Sequence, residues 1–231
     1  MEHYIDLNMK SMYSDHGQYA PEQLVKMCAE KGITIMALTD ANWVKGVEEA
    51  VKTAEDMGIT CIPAVELECK YKDMDVSLLG YGINLELCEF DAMGEILEAQ
   101  KMMLAEDPEM TEADIIYPNL KEMVELIHDA KGLAILAHPG KSFGEKREMI
   151  EELIEDVMID GIESFAGCHS EEEADYYYEI ARKNSLMTTA GSGFIGEADA
   201  EAELGKYHCR FDQDLIHAQL AFAKFVKPLD A

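Results

Sequence analysis

The sequence predicts an α/β fold in which a sheet, closed or nearly closed into a barrel, alternates with helices. Seven short apolar runs recur along the chain at lengths suited to buried strands. Amphipathic stretches with recognisable start and stop residues separate most of them, the alternation expected of a sheet with helical crossovers. The unusual polar residues fall beside the strand runs, where barrels of this kind assemble their ligand sites.

The strand candidates are Tyr4 to Leu7, Thr34 to Leu38, Thr60 to Val65, Val76 to Tyr81, Leu133 to Ala137, Gly161 to Phe165 and Leu186 to Thr189. Helices are expected over Pro21 to Lys31, with proline early in the first turn, over Trp43 to Met57 before Gly58, and over Asn119 to Lys131 before Gly132. A further helix begins at Ser170, where Ser170 and Glu173 have capping-box spacing. The stretch from Asn84 to Pro118 reads as a helix with an irregular excursion, and a last helix is expected from about Asp214 to Val226. A chain of 231 residues without an internal linker is expected to form a single domain over its whole length.

Composition narrows the function. The formal charge of −28 repels phosphate backbones, so nucleic acid is not an expected partner. The acids are spread along helices such as that in "EKREMIEELIEDVMID", which reads as a solvated exterior. Six cysteines without a C-x-x-C pair point to a reduced, cytoplasmic setting. The opening "MEHYIDLNMK" has no export signal, and no run reaches the length needed to span a bilayer, so neither secretion nor a membrane is expected.

The polar residues beside the strands are Asn8 and Lys10 after the first, Asp40 and Asn42 after the second, Glu66 after the third, Ser77 on the fourth, His138 after the fifth, His169 after the sixth and Ser192 after the seventh. With them, "IDLNMKSMYSD", "ALTDANWVKGVEEA", "CIPAVELE", "VSLLGYGI", "ILAHPG" and "GSGFIG" line up in order over nearly the whole chain. In these segments the sequence resembles the PHP (polymerase and histidinol phosphatase) superfamily. The resemblance implies a distorted (β/α)7, TIM-like barrel and phosphoester hydrolysis at a cluster of two or three metal ions.

Against the family pattern, Asn8 and Lys10 stand where a His-x-His pair is usual, and Ala41 takes the place of a histidine within Thr39-Asp40-Ala41-Asn42. Ser77 replaces another histidine, and Gly193 and Ile195 replace an aspartate and a histidine after Ser192. Asp15, Glu66 and His138 survive, with His169 near a position where the family often has histidine. Catalytic divalent metals need about three protein ligands and bridged clusters need more. An ammonium has donors and no lone pair to offer a metal. The expectation is that Lys10 stands in for the lost metal charge beside Glu66 and Asp15, with no cofactor. The alternative is a single zinc, manganese or iron ion held by Asp15, Glu66, His138 and His169.

Other readings of these residues are weaker. "GSGFIG" spells G-x-G-x-x-G with Asp212 downstream, but a dinucleotide site needs a helix and then a parallel strand, and the remaining chain offers helices at most. The plainer reading is a loop that closes the barrel. A Schiff-base role for Lys10 needs a lowered amine pKa, which nearby carboxylates oppose. His3, His16, His128, His208 and His217 show no ligand spacing, although His16 and Cys168 could supply ligands from outside the pattern. The 15 methionines, including Met93, Met102, Met103 and Met110, read first as core filling and second as a contact surface for a partner or a homo-oligomer. The leading expectation is a non-catalytic or repurposed member of the family that binds a small, phosphate-bearing ligand or a partner at the barrel mouth. The alternative is a phosphoesterase working with the single metal.

Overall fold

The computed structural model describes residues 5–87, 89–144, 146–197 and 202–205. The last expected helix, Asp212, His3, His208, His217, Cys88 and Cys209 lie outside the described residues. Seven strands, β1 (Ile5–Met9), β2 (Ile35–Leu38), β3 (Thr60–Tyr71), β4 (Met74–Tyr81), β5 (Leu133–Leu136), β6 (Gly161–Ala166) and β7 (Met187–Gly191), form one sheet in chain order. After β7 the ring is joined back to β1, where Gly193 N–H donates to Asn8 O at 2.8 Å and Lys10 N–H donates to Phe194 O at 2.8 Å.

The fourth strand departs from the expected parallel order. β3 does not stop at Val65 but runs to Tyr71, and β4 pairs with it antiparallel from Tyr71 opposite Met74 to Ala64 opposite Tyr81. Only Lys72 and Asp73 connect them, and a two-residue turn can join antiparallel strands only, since a parallel return needs a long crossover. β4 is also antiparallel to β5, while β1, β2 and β3, and β5, β6 and β7, run parallel. Ser77 therefore comes to the mouth from the first half of a reversed strand, not from the carboxyl end of a parallel one.

Helices α1 (Pro21–Glu30), α2 (Val47–Asp56), α3 (Phe90–Glu106), α4 (Leu120–Asp129), α5 (Pro139–Phe143), α6 (Met149–Asp156) and α7 (Glu171–Lys183), with a short 3-10 turn at Glu112–Asp114, complete the described elements. At α7 the Ser170 hydroxyl accepts from Glu173 N–H while the Glu173 carboxylate accepts from Ser170 N–H, so the capping box read from the sequence is formed. α2 starts at Val47 and not at Trp43, because Trp43 lies in the preceding turn and packs on α3. A Cβ added at Gly94 of α3 would lie 2.8 Å from the indole and 2.5 Å from Asn42 O, so only glycine lets α3 approach so closely. The stretch expected to be a helix with an excursion thus forms one wall of the mouth. Met93 packs partly buried against the core, whereas Met102 and Met103 face solvent, so core filling does not describe those two.

Two layers of core lie between strands and helices. A third cluster, Ile5, Leu7, Ala37, Ile62, Ala64, Leu79, Tyr81, Ile135 and Ala137, comes from strands and their immediate ends, which is what a barrel interior offers. Within it the fully buried Tyr81 hydroxyl donates to Leu7 O at 2.7 Å. Apolar burial of this kind contributes about 25 cal/mol per Å². It supplies the rigid base on which the polar mouth stands.

Candidate functional site

Two irregularities in strand register flank the site. The β1–β2 register shifts between Asp6 and Met9, and the β6–β7 register shifts between Ile162 and Phe165. Each irregularity spans a polar residue, Asn8 in one strand and Glu163 in the other. The two meet, with Asn8 Nδ2 donating to Glu163 Oε1 at 3.0 Å. Gly191 at the end of β7 makes room for this arrangement, since a Cβ there would lie 2.3 Å from Asn8 Cβ and 2.6 Å from Asn8 N.

Lys10 follows at the end of β1 and points to the floor of the mouth. Its ammonium lies 2.5 Å from Glu66 Oε2, 3.3 Å from Thr39 O and 3.4 Å from Asn8 Oδ1, three acceptors for three donors. The side chain of Lys10 is 17% exposed and that of Glu66 only 6%. On the other side of the carboxylate, His138 Nε2 lies 3.4 Å from Glu66 Oε1. Burial alone would raise the Glu66 pKa, but the Lys10 charge and His138 more than reverse this and hold it well below the usual carboxylate range.

His138 takes φ +26°, an uncommon conformation for a residue with a side chain. Its N–H donates to Glu163 Oε2 at 2.8 Å, which anchors the bend before Pro139. Burial lowers the His138 pKa, yet the hydrogen bond and charge of Glu66 and the charge of Glu163 lift it above the ordinary imidazole value. Glu163 is completely buried on β6, and burial pushes its carboxyl up to about 7 against the pull of His138 and Asn8. Reading the sequence at strand ends missed this residue. The available signal was an acid inside a short strand whose other residues carry no charge.

The remaining residues expected at the mouth divide by environment. Asp40 is buried and accepts from Ser11 N–H at 2.7 Å, Ser11 Oγ at 2.6 Å and Ser14 Oγ at 2.7 Å, so it pins the loop that carries Lys10. Asn42, at φ +63°, donates to Glu68 Oε2 at 2.9 Å and accepts from Glu68 N–H at 3.0 Å. Ser192 is tied to the backbone, its N–H donating to Asp6 at 2.9 Å and its hydroxyl accepting from Phe194 N–H at 3.2 Å. Both amides of this loop that would face a dinucleotide, those of Ser192 and Gly193, are thus spent on β1, and "GSGFIG" closes the barrel.

Asp15 and His169 stand apart from the floor. Asp15 is 80% exposed at the rim, 3.6 Å from Lys101 of α3, so the expected pairing with Lys10 is made by Glu66 alone. The physical reason is the loop from Ser11 to Gly17, which Asp40 holds from beneath and which carries Asp15 outward. His169 has Nδ1 2.9 Å from Ser164 O, and its Nε2 accepts from Gly140 N–H at 3.0 Å. Both ring nitrogens are committed to the backbone, and burial lowers its pKa.

Around the floor opens a cleft of about 920 Å³. Lys10, Glu66, Ser77 and His138 lie at its base, Trp43 and Tyr117 line its walls, and Lys141 and Ser142 of α5 stand on its side. His16 also lines it, whereas Cys168 does not. The Trp43 face is covered by the protein's own Lys45, whose ammonium lies 3.2 Å from the ring centroid. Among the described residues, no helix is long and apolar enough to cross a membrane.

A mouth of ion pairs on a seven-stranded α/β barrel has clear relatives. Residues 6–214 match the PHP domain, and the chain belongs to that family. It is 24% identical over 259 residues to a 3',5'-nucleoside bisphosphate phosphatase of Chromobacterium violaceum, covering 87% of this chain and 90% of that protein. It is 22% identical over 250 residues to a phosphoribosyl 1,2-cyclic phosphate 1,2-diphosphodiesterase of Eggerthella lenta, covering 83% and 94%. A suggested metal-dependent phosphoesterase from Bifidobacterium adolescentis superposes with a TM-score of 0.78 at 18% identity, covering 96% of both chains. An amidohydrolase structure from Chromobacterium violaceum, with sulfate and no metal, gives 0.73 at 22% identity, covering 93% of this chain and 96% of that one.

The metal cluster implied by the family does not fit the donors here. Among the described residues no group of three or more histidine, cysteine, aspartate or glutamate side chains is placed to hold an ion. Glu66 and His138 remain on the floor, but Lys10 holds one oxygen of the carboxylate, and the two other surviving candidates, Asp15 and His169, point elsewhere.

Proposed function

We propose that this PHP barrel binds a small, phosphate-bearing molecule at its mouth and does not hydrolyse it through a metal cluster. The observation that carries this reading is the Lys10 ammonium, which satisfies all three of its donors on Glu66, Thr39 and Asn8 and leaves no open coordination position on the floor. Support for the ligand class comes from the relatives, which are named for phosphate esters, and from Lys141 and Ser142 on the cleft wall. A small ligand suits the cleft better than a polyanion, which the charge of −28 repels. The free cysteines among the described residues agree with a reducing, cytoplasmic setting.

A second reading, phosphoester hydrolysis with a single zinc, manganese or iron ion, is favoured by the relatives named phosphatase and diphosphodiesterase. It would have to start from Glu66 and His138. Elemental analysis of protein purified without chelator, followed by a phosphoester panel with each metal added, separates the two. The leading reading expects saturable binding of a phosphate ester without turnover and without stoichiometric metal. Metal-dependent turnover would install the second reading in its place.

A further inference from the structure

Among the described residues four lysines line the cleft, and carboxylates settle only two of them. Lys10 is seated on Glu66, and Lys101 lies against Glu68 and Asp15. Neither Lys45, in the turn before α2, nor Lys141, on α5, has a carboxylate partner among the described residues. Lys45 rests instead on a π face, its ammonium 3.2 Å from the Trp43 ring centroid. The ring beneath it is fixed, because Gly94 of α3 abuts the two carbons that its fused rings share. That resting place is a weak one, since Lys45 is exposed and a cation–π contact at an exposed site holds far less strongly than charge-assisted hydrogen bonds to an oxyanion. The lining acids without an ammonium partner among the described residues, Asp73 and Glu98, are exposed as well, where water and salt screen them.

We propose that Lys45 is the movable anion receptor of this cleft, resting on Trp43 while the cleft is empty and leaving the indole to join Lys141 on the phosphate of a bound monoester. The inference deepens the phosphate-binding reading above and rests on it. A phosphate monoester carries close to two negative charges at neutral pH, which two uncompensated ammoniums match, whereas a diester carries one. Lys10 cannot take this part, because its three donors are spent on Glu66, Thr39 and Asn8. Lys101 would have to abandon two carboxylates to do so. Lys45 gives up only a π face, and Ser142 beside Lys141 adds a hydroxyl to the same wall.

Trp43 is the only tryptophan in the sequence, so the tryptophan fluorescence of the full-length protein reports on this ring alone. The test titrates glycerol 3-phosphate, a monoester, and diethyl phosphate, a diester, at constant ionic strength, read by that fluorescence and by calorimetry. Wild type is expected to bind the monoester saturably with a change in Trp43 emission, and the diester at least about tenfold more weakly. Lys45→Ala is expected to start from an altered emission and to bind the monoester at least about tenfold more weakly than wild type. Lys45→Arg, which keeps the charge, is expected to restore binding. Lys52→Ala, which removes one exposed charge from α2 outside the cleft, is expected to leave the affinity unchanged. Equal monoester affinity in wild type and Lys45→Ala, equal affinity of wild type for the two esters, or binding that leaves the Trp43 emission unchanged overturns the Lys45 inference and leaves the phosphate-binding reading standing. A loss in Lys52→Ala as large as that in Lys45→Ala also overturns it, because bulk charge would then be the cause. Absence of binding by either ester overturns both.

Discussion

Two lysines pair with carboxylates in this mouth, and they are held very differently. Lys10 on the floor sits 2.5 Å from Glu66, both largely buried, with two further acceptors closing around the ammonium. Lys101 on the wall reaches Glu68 at 3.3 Å and Asp15 at 3.6 Å, with its own side chain 37% exposed. Exposed pairs of this sort contribute little, because water and salt already screen them. A buried pair is costly to form, but breaking it strands a charge away from water. The same residue types therefore make a fixed floor in one place and an adjustable rim in the other.

The largest expected effect sharpens this contrast. Glu66→Ala, which leaves the Lys10 ammonium without its carboxylate, should lower stability by about 3 kcal/mol in denaturant titrations, the low end of what loss of one partner of a buried pair costs. A value near zero would break the distinction between floor and rim.

Of similar size is the pH dependence of the floor. Glu163 has its pKa raised to about 7 by burial, so between the unfolded value and that figure the native state holds a proton the unfolded state has lost. Stability should therefore fall as pH rises from about 4.5 to 7, by about 3 kcal/mol in total, and then level off for this group. His138, raised above its ordinary value, contributes in the same direction, losing its share as pH climbs beyond 6.5. Urea unfolding across this range should show the slope, and Glu163→Gln should flatten it below pH 6.5.

Smaller effects test the parts between. Asp40→Ala strands the buried donors of Ser11 and Ser14 and should cost about 2 kcal/mol, read by the shift of the unfolding midpoint. Asp15→Ala, at the exposed rim, should leave melting unchanged within error, and a clear loss would show that the rim is more tightly coupled to the floor than its geometry indicates.

Much of this arrangement was legible in the sequence, and what escaped has physical reasons. Apolar runs placed the seven strands, and of the polar residues beside them Lys10, Asn42, Glu66, Ser77 and His138 line the cleft, whereas Asn8, Asp40, His169 and Ser192 lie beneath or behind it in internal hydrogen bonds. The reversal of β4 was harder, since an apolar strand reads the same in either direction. The alternation of Glu66, Leu67, Glu68, Cys69, Lys70 and Tyr71 was the overlooked sign of a two-stranded hairpin running past the barrel. Glu163 was passed over because it lies inside its strand, where alternation with Ile162 of the outer core points it into the barrel and toward Asn8. Asp15 lies only five residues from Lys10, but the loop between them carries it to the surface, a geometry that no spacing rule contains.

The attachment of the Lys10 ammonium to the backbone has a consequence for every copy of the molecule. A loosely held ion can be lost to dilution, to a chelator or to scarcity of a trace element, whereas a side chain cannot diffuse away. The partner of Glu66 is present as soon as the polypeptide leaves the ribosome.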